Sequence, residues 1–443
     1  MAQGPGAEPP RAAGDELRAP LAEVDPELAE LLTGELERQR TTLDLVASES
    51  VPPRAVLEAQ GSHLTAKYAD GYPGGRHYDS CGFIDGIERL AIERAKSLFC
   101  ADHANVQPYS GSSANAAVLH ALCEPGDVVL GWDFAHGGHP THHAGECFTG
   151  HFYSPATYGV RREDRLVDMD QVAETAERLR PKVVIAGWSC YSRWLDFRRF
   201  REICDEVGAY LLVDMAHFAG LVAAGLHPDP VPYADACTMT VHKTLGGARG
   251  GAILCRAEHA ERVDAAVYPG EQGCPLPHVI AAKAATFQIA ATEAFRERMG
   301  RTVAGAQAIA AALVAAAGAT GSAVVTGGTD VHQLTVDLEP SGREAPAVMA
   351  ALNGIGISAN AMRLAFDESP AGSGLRLGAA APAARGFGAD EFAEVGAILA
   401  EALALAPGAP DGSRTAAGEP LVAAGLRERV RALLDGFPLY PYL

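Results

Sequence analysis

The chain has 443 residues, 48% hydrophobic and 21% charged, so it can bury large cores, and roughly two to three domain-sized units are expected. A formal net charge of −19 opposes binding to nucleic acid or to an anionic membrane surface, and neither partner is expected. Nine cysteines without a Cys-x-x-Cys spacing read as reduced thiols of a cytoplasmic protein, and no apolar run is long and uncharged enough to span a bilayer.

Met1 to Pro20 is rich in Gly, Pro and Ala without an apolar core, and reads as a flexible arm rather than a secretory signal. Within 21–100, an N-terminal helical segment, helices are expected at Asp25 to Arg40 and Ile84 to Phe99. From Asn105 the pattern alternates β and α. Strands are expected near Val106 and at Val128 to Leu130, Val183 to Ile185, Tyr210 to Val213, Ala236 to Val241 and Ala252 to Leu254. Helices lie between them, as at Ala114 to Cys123 and Phe197 to Val207. Such alternation predicts an α/β large domain over 101–300, with a mostly parallel sheet covered by helices on both faces. His278 to Met299 reads as one long helix leading out of it.

A smaller α/β domain is expected over 301–405, with strands at Ser322 to Val325, His332 to Leu338, Ile355 to Ala359 and Leu375 to Gly378. A Pro/Gly/Ser-rich linker spans 406–420. The end segment 421–443 carries an amphipathic helix at Leu421 to Leu434 and an aromatic tail.

Two segments carry the strongest chemical signal. Thr240-Val241-His242-Lys243-Thr244 places a lysine behind an apolar, β-rich run and ahead of Gly246-Gly247-Ala248-Arg249-Gly250-Gly251. Leu211-Leu212-Val213-Asp214-Met215-Ala216-His217 ends a strand in an aspartate, with a histidine three residues on. A lysine in such a setting can form a Schiff base, and an aspartate at a strand end can pair with a pyridinium nitrogen. Those are the contacts pyridoxal phosphate most needs. Either residue alone would read as a surface lysine or a turn aspartate.

Four further segments bear on this. Tyr109-Ser110-Gly111-Ser112-Ser113-Ala114-Asn115 opens a helix after a strand, as a phosphate cradle or as a plain Ser cap. In Phe134 to His143, His136, His139 and His142 recur every third residue. A metal is not expected there, because the segment is a Gly/Pro loop without Cys or acidic ligands, and an imidazole laid on a cofactor ring is the better reading. Arg376 on a short strand can clamp a carboxylate bidentately or make a surface salt bridge. Tyr68 to Tyr78, with Asp70, Arg76 and His77, is a surface loop or a set of phenols and a carboxylate suited to acid/base work.

Together these segments resemble the serine hydroxymethyltransferase family in the same order, from about Leu43 to Phe387. The resemblance implies a fold-type-I, aminotransferase-like architecture, with a mostly parallel seven-stranded sheet and a smaller C-terminal α/β domain. It implies pyridoxal 5′-phosphate as cofactor, with Lys243 as the bonding lysine and Asp214 facing the pyridinium nitrogen. His139 would stack on the ring, and His217 would touch the ring's phenolic oxygen or the substrate. Ser110, Gly111 and Ser112 would hold the phosphate, with help from His242 and from Gly273 of a neighbouring subunit. Thr240, Ser189 and Arg249 fall in matching cofactor segments. Ser48 and Arg376 would hold the substrate carboxylate. Tyr68, Asp70 and Tyr78 would serve catalysis, the tyrosines from a partner subunit, so a homodimer with shared active sites is implied.

The chain also departs from the family pattern, the pteridine pocket included. The family has Glu at Asp70, which withdraws that carboxylate by about 1.5 Å, one C–C bond. It usually has Tyr at His77, Gly-Gly at Asp79-Ser80, Glu at Gly82, Thr-Pro-Ala at Ala379-Ala380-Ala381 and Gly-Gly at Gly273-Cys274. Two leucines that pack on the folate ring correspond to Phe134 and Pro140, and the pteridine-binding asparagine falls near Phe366, within Met362 to Ser369. The expectation is therefore a pyridoxal phosphate-dependent aldol transferase on a β-hydroxy-α-amino acid. The first reading is an L-threonine transaldolase passing the glycine unit to an aldehyde. The second is a tetrahydrofolate-dependent serine or α-methylserine hydroxymethyltransferase, and the third a threonine aldolase.

Overall fold

The structure, a computed structural model, describes residues 17–367, 371–405 and 421–443. Most of the expected N-terminal arm and the expected linker 406–420 lie outside the described residues.

Seven strands form the larger sheet: β1 (His103–Asn105), β2 (Val128–Trp132), β3 (Ser154–Tyr158), β4 (Val183–Gly187), β5 (Tyr210–Asp214), β6 (Ala236–Thr240) and β7 (Gly251–Cys255). Their spatial order is β1-β7-β6-β5-β4-β2-β3. β7 runs antiparallel to both neighbours, and the strands from β6 to β3 pair in parallel. Every residue of β4, β6 and β7 is buried, as strands covered on both faces require; β4 and β7 do so with Val, Ile, Ala and Leu, and β6 with Ala, Cys, Met and two threonines. β3 escaped the sequence reading. Ser154-Pro155-Ala156-Thr157-Tyr158 is a mostly exposed edge strand, and its proline is tolerated because an edge leaves one N–H side unpaired.

The longer helices used below are α1 (Pro26–Thr41), α2 (Gly82–Phe99), α3 (Gly111–Leu122), α4 (Pro277–Ala290), α5 (Glu293–Ala315), α6 (Ala389–Ala404) and α7 (Leu421–Asp435). The single helix expected over His278 to Met299 is two. Apolar spacing continues across the break, but α4 ends at Ala290, and the Thr292 hydroxyl accepts the Phe295 N–H at 3.2 Å to start α5. No helix among the described residues is long and apolar enough to cross a membrane.

The second sheet is antiparallel: β8 (Ala323–Val324), β9 (Gln333–Asp337), β10 (Asn360–Met362) and β11 (Gly374–Gly378), in the order β8-β9-β11-β10. The strand expected at Ile355 to Ala359 is divided. Ile357–Ser358 pairs in parallel with Leu43–Asp44, and the sheet strand begins at Asn360. The core of this unit joins Leu334, Leu375 and Phe392 to Leu43 and Leu45 from one end of the chain and to Val430 and Leu434 from the other. Each fully buried side chain of this kind contributes about 1.5–3 kcal/mol. That packing holds Leu43 to Ser48 beside β11, where Gly378 N–H donates to Leu45 O at 2.8 Å. A Cβ at Gly378 would lie 2.4 Å from Ala47 Cα, so only glycine allows this approach.

Candidate active site

The chemistry-bearing residues gather where the parallel strands end. Asp214 closes β5 and is 6% exposed. Its Oδ2 accepts from Asn115 Nδ2 at 2.9 Å and from His142 Nε2 at 3.2 Å, and its Oδ1 accepts from Ala216 N–H at 3.0 Å. Burial works against its charge, but the His142 hydrogen bond and charge, with His139 and Asn115, hold the carboxyl well below its ordinary value. Asn115 is fixed in turn by Thr238, whose hydroxyl donates to it at 2.5 Å, and it donates to Thr141 at 2.9 Å. His139 Nδ1 accepts the Thr141 N–H at 3.2 Å, which leaves Nε2 to carry the ring proton. Burial drops His139 to about 4, so it is neutral at pH 7.

Lys243 sits in the turn after β6, facing the same end of the sheet. Withdrawal from water lowers its ammonium from 10.5 to about 8; Asp214 opposes this, and Arg376 and Arg249 add to it. Beside it lies a stack of three rings. His217 and His332 are 5.6 Å apart and 20° from parallel, and Trp188 lies 5.8 Å and 5.9 Å from them. Burial holds His217 well below its ordinary value and His332 at about 3.

Arg376 comes from β11. Its Nη1 donates to Ser189 O at 2.8 Å and its Nη2 to Asn360 Oδ1 at 2.9 Å, while its buried Nε has no partner among the described residues. Ser48 lies on the segment that Gly378 admits against the same strand. It lines a cavity of about 480 Å³ together with His242 and Arg249. Burial, with Arg249 and Lys243, lowers His242 to about 3.

Ser110 caps α3 reciprocally with Ser113: its Oγ accepts Ser113 N–H at 3.0 Å, and Ser113 Oγ accepts Ser110 N–H at 2.8 Å. The N–H groups of Gly111 and Ser112 remain in the first turn, where the helix dipole favours an anion. Gly111 is required there, because a Cβ would lie 2.8 Å from Thr240 Cγ2. Thr240 itself is tied down through its hydroxyl to Ala216 O at 3.0 Å.

The remaining expected residues do not join this group within one chain. Tyr68 and Tyr78 are 59% and 45% exposed and stack edge-on at 5.4 Å. Their loop is anchored elsewhere: Ala69 N–H donates to Cys274 Sγ at 3.2 Å, and Arg76 pairs with Asp85 and Glu88 at 2.9 and 2.5 Å. One buried oxygen of Asp70 has no partner among the described residues. Gly273 is exposed, with nothing near its Cα that a side chain would meet.

The histidine run does not converge on one point. His142 is bonded to Asp214, His139 to Thr141, and His136 Nδ1 accepts Val160 N–H at 3.1 Å. Among the described residues a ligand-like group forms only at Asp235, Glu258 and His259, where Arg201 and Arg256 already pair with Asp235. Sequence reasoning missed the links made by Asn115, His142, His332 and Asn360. The first two stand inside segments it had singled out. His332 and Asn360 carry no local signal, since only the sheet register sets them beside Arg376 and His217.

The arrangement fits pyridoxal phosphate. An ionised, buried Asp214, a neutral His139, a lysine with a lowered pKa, a glycine-cleared helix terminus and an orphaned arginine Nε meet in one place. The comparisons agree. The family model "Serine hydroxymethyltransferase" matches residues 21–399. A serine hydroxymethyltransferase of Clavibacter michiganensis subsp. michiganensis is 55% identical over 426 residues, covering 95% of this chain and 97% of the relative. That of Nocardia farcinica is 55% identical over 423 residues, 95% of each, and serine hydroxymethyltransferase 1 of Mycobacterium tuberculosis is 53% identical over 427, covering 96% of this chain and 95% of the relative. The chain belongs to the serine hydroxymethyltransferase family, fold-type-I transferases that use pyridoxal 5′-phosphate.

Proposed function

We propose that the chain breaks the Cα–Cβ bond of L-threonine, releases acetaldehyde, and joins the glycine unit to another aldehyde without tetrahydrofolate, as an L-threonine transaldolase of specialised biosynthesis. The observation that carries this reading is Phe366, near the place where the resemblance puts the pteridine-binding asparagine. Its ring lies 4.4 Å from the Arg162 guanidinium, 5.0 Å from that of Arg165 and 4.8 Å from the His136 ring. The adjoining cavity between His136, Cys190, Met362 and Ala365 measures about 40 Å³, room for about one water. A phenyl ring also offers no hydrogen bond to a pteridine edge, which costs a buried polar ligand affinity.

When bound, pyridoxal phosphate supplies the electron sink for the pair left at Cα. Lys243 would be the residue that bonds it. Asp214, held as a carboxylate, would serve its ring nitrogen, His139 would serve its ring, and Ser110, Gly111, Ser112, Thr240 and His242 would hold its phosphate, with Ser189 and Arg249 alongside. Arg376, through its free Nε, and Ser48 hold the substrate carboxylate and so fix the scissile bond. His217 stays neutral and would contact the cofactor's phenolic oxygen or the substrate. Asp70, with Tyr68 and Tyr78, takes the hydroxyl proton in a partner's site, and Gly273 reaches the partner's phosphate. The exposed tyrosines support a homodimer, as does α1, which buries no residue and leaves Leu28, Leu31 and Leu32 in solvent. We place the protein in the cytoplasm.

The names of the relatives favour a second reading, tetrahydrofolate-dependent serine hydroxymethyl transfer; a threonine aldolase is the third. The test is to supply L-threonine and a second aldehyde without folate and follow products by mass spectrometry. A new β-hydroxy-α-amino acid supports transaldolase chemistry; glycine alone points to aldolase, and no turnover without folate refutes the proposal.

A further inference from the structure

Lys283, on α4, is 1% exposed and takes no part in the mechanism above. Its Nζ donates to three backbone carbonyls: Val106 at 2.7 Å, Pro108 at 2.9 Å and Gly251 at 2.8 Å. Val106 and Pro108 lead from β1 into Tyr109-Ser110-Gly111, and Gly251 begins β7. The two stretches lie so close that a Cβ on Gly251 would stand 2.2 Å from Ser110 O. Gly251 N–H also donates to Pro108 O at 3.0 Å. One side chain therefore pins both walls of the turn from which α3 starts. Gly250 is shaped to admit it, since a Cβ there would meet Lys283 Cε at 2.6 Å.

The group is built to be charged. An ammonium has three N–H bonds and finds three acceptors, whereas a neutral amine would leave one carbonyl unpaired in a dry site. Burial pulls Lys283 down to about 7 and Glu88 opposes that; the three carbonyls add to Glu88's pull and favour the cation. Glu88, the facing anion, is itself engaged by Arg76 at 2.5 Å and by Gln107 at 2.7 Å. Lys283 also acts on the opposite side of the turn, where its charge is among those lowering His242.

We propose that Lys283 is a positioning residue for the phosphate cradle: it fixes the turn beneath Ser110 to Ser112 and places a buried positive charge behind it, so that the site selects the phosphorylated cofactor. This rests on the assignment of Ser110, Gly111 and Ser112 to the phosphate. The test is to titrate the apo full-length protein with pyridoxal 5′-phosphate and with pyridoxal, which lacks the phosphate, and to take the ratio of the two affinities. In Lys283→Met that ratio falls by about tenfold or more, while pyridoxal affinity changes by less than about threefold. Gly250→Ala keeps every charge but crowds the ammonium out of place, and lowers the ratio in the same direction even if the methionine variant does not fold. Equal losses for both ligands would mean a merely structural lysine and overturn the proposal, as would an unchanged ratio. If the wild-type protein itself shows no preference for the phosphorylated ligand, the cradle assignment fails rather than the role of Lys283.

Discussion

Lys243 should cost the apo protein stability, and the cost should depend on pH in a defined window. Its folded pKa is about 8 against 10.5 unperturbed, because the ammonium is held out of water near Arg376 and Arg249. Between those two values the unfolded chain binds the extra proton. Stability therefore rises with pH from about 8 to about 10.5, and the full penalty is present below 8. At about 1.4 kcal/mol per unit the ceiling is about 3 kcal/mol, and residual solvent contact brings the expected value to about 1–3 kcal/mol. Lys243→Met keeps most of the side-chain volume and removes the charge. Urea unfolding of the apo proteins should show the variant more stable by that amount at pH 7, with the advantage shrinking above pH 8 and gone near 10.5. A variant less stable than wild type at pH 7, or an advantage that ignores pH, would refute the reasoning.

Replacing Asp214 with Asn keeps the shape but removes the charge that His142 and Asn115 support; turnover should fall by at least about a hundredfold in steady-state assays. Gly378→Val forces the Leu43 to Ser48 segment away from β11, so KM for the amino acid should rise and stability fall by about 1–3 kcal/mol, with cofactor affinity by titration unchanged. His332 is held at about 3 against 6.5, so the unfolded chain gains its proton first and stability is lost as pH falls from 6.5 toward 3. His332→Asn should flatten that part of a thermal-melt pH profile.

The sequence was most legible where a residue's neighbours in the chain are also its neighbours in space. β4 to β7 announce themselves as short buried runs, and Asp214 and Lys243 stand at or just past strand ends where the chain must turn. β3 was illegible because an edge strand needs no apolar pattern, and the α4–α5 break because one threonine cap interrupts an otherwise continuous apolar spacing. Within the site, Ser110 and Gly111 could be read from a helix start. The Asn115–Asp214–His142 network could not, because it joins three separate stretches through tertiary packing. His332 and Asn360 depend on the register of β9, β10 and β11, which no local pattern encodes. Tyr68 and Tyr78 were legible as a set of functional groups, yet within one chain they stand exposed, edge-on to each other.

The most direct test of folate-independent aldol chemistry is glycine formation from L-threonine and from L-serine by the purified pyridoxal phosphate-loaded protein, with and without tetrahydrofolate. The account predicts threonine turnover at the same rate in both conditions. Serine turnover that appears only with tetrahydrofolate, and no threonine turnover without it, would contradict the account and give the chain the activity for which its relatives are named.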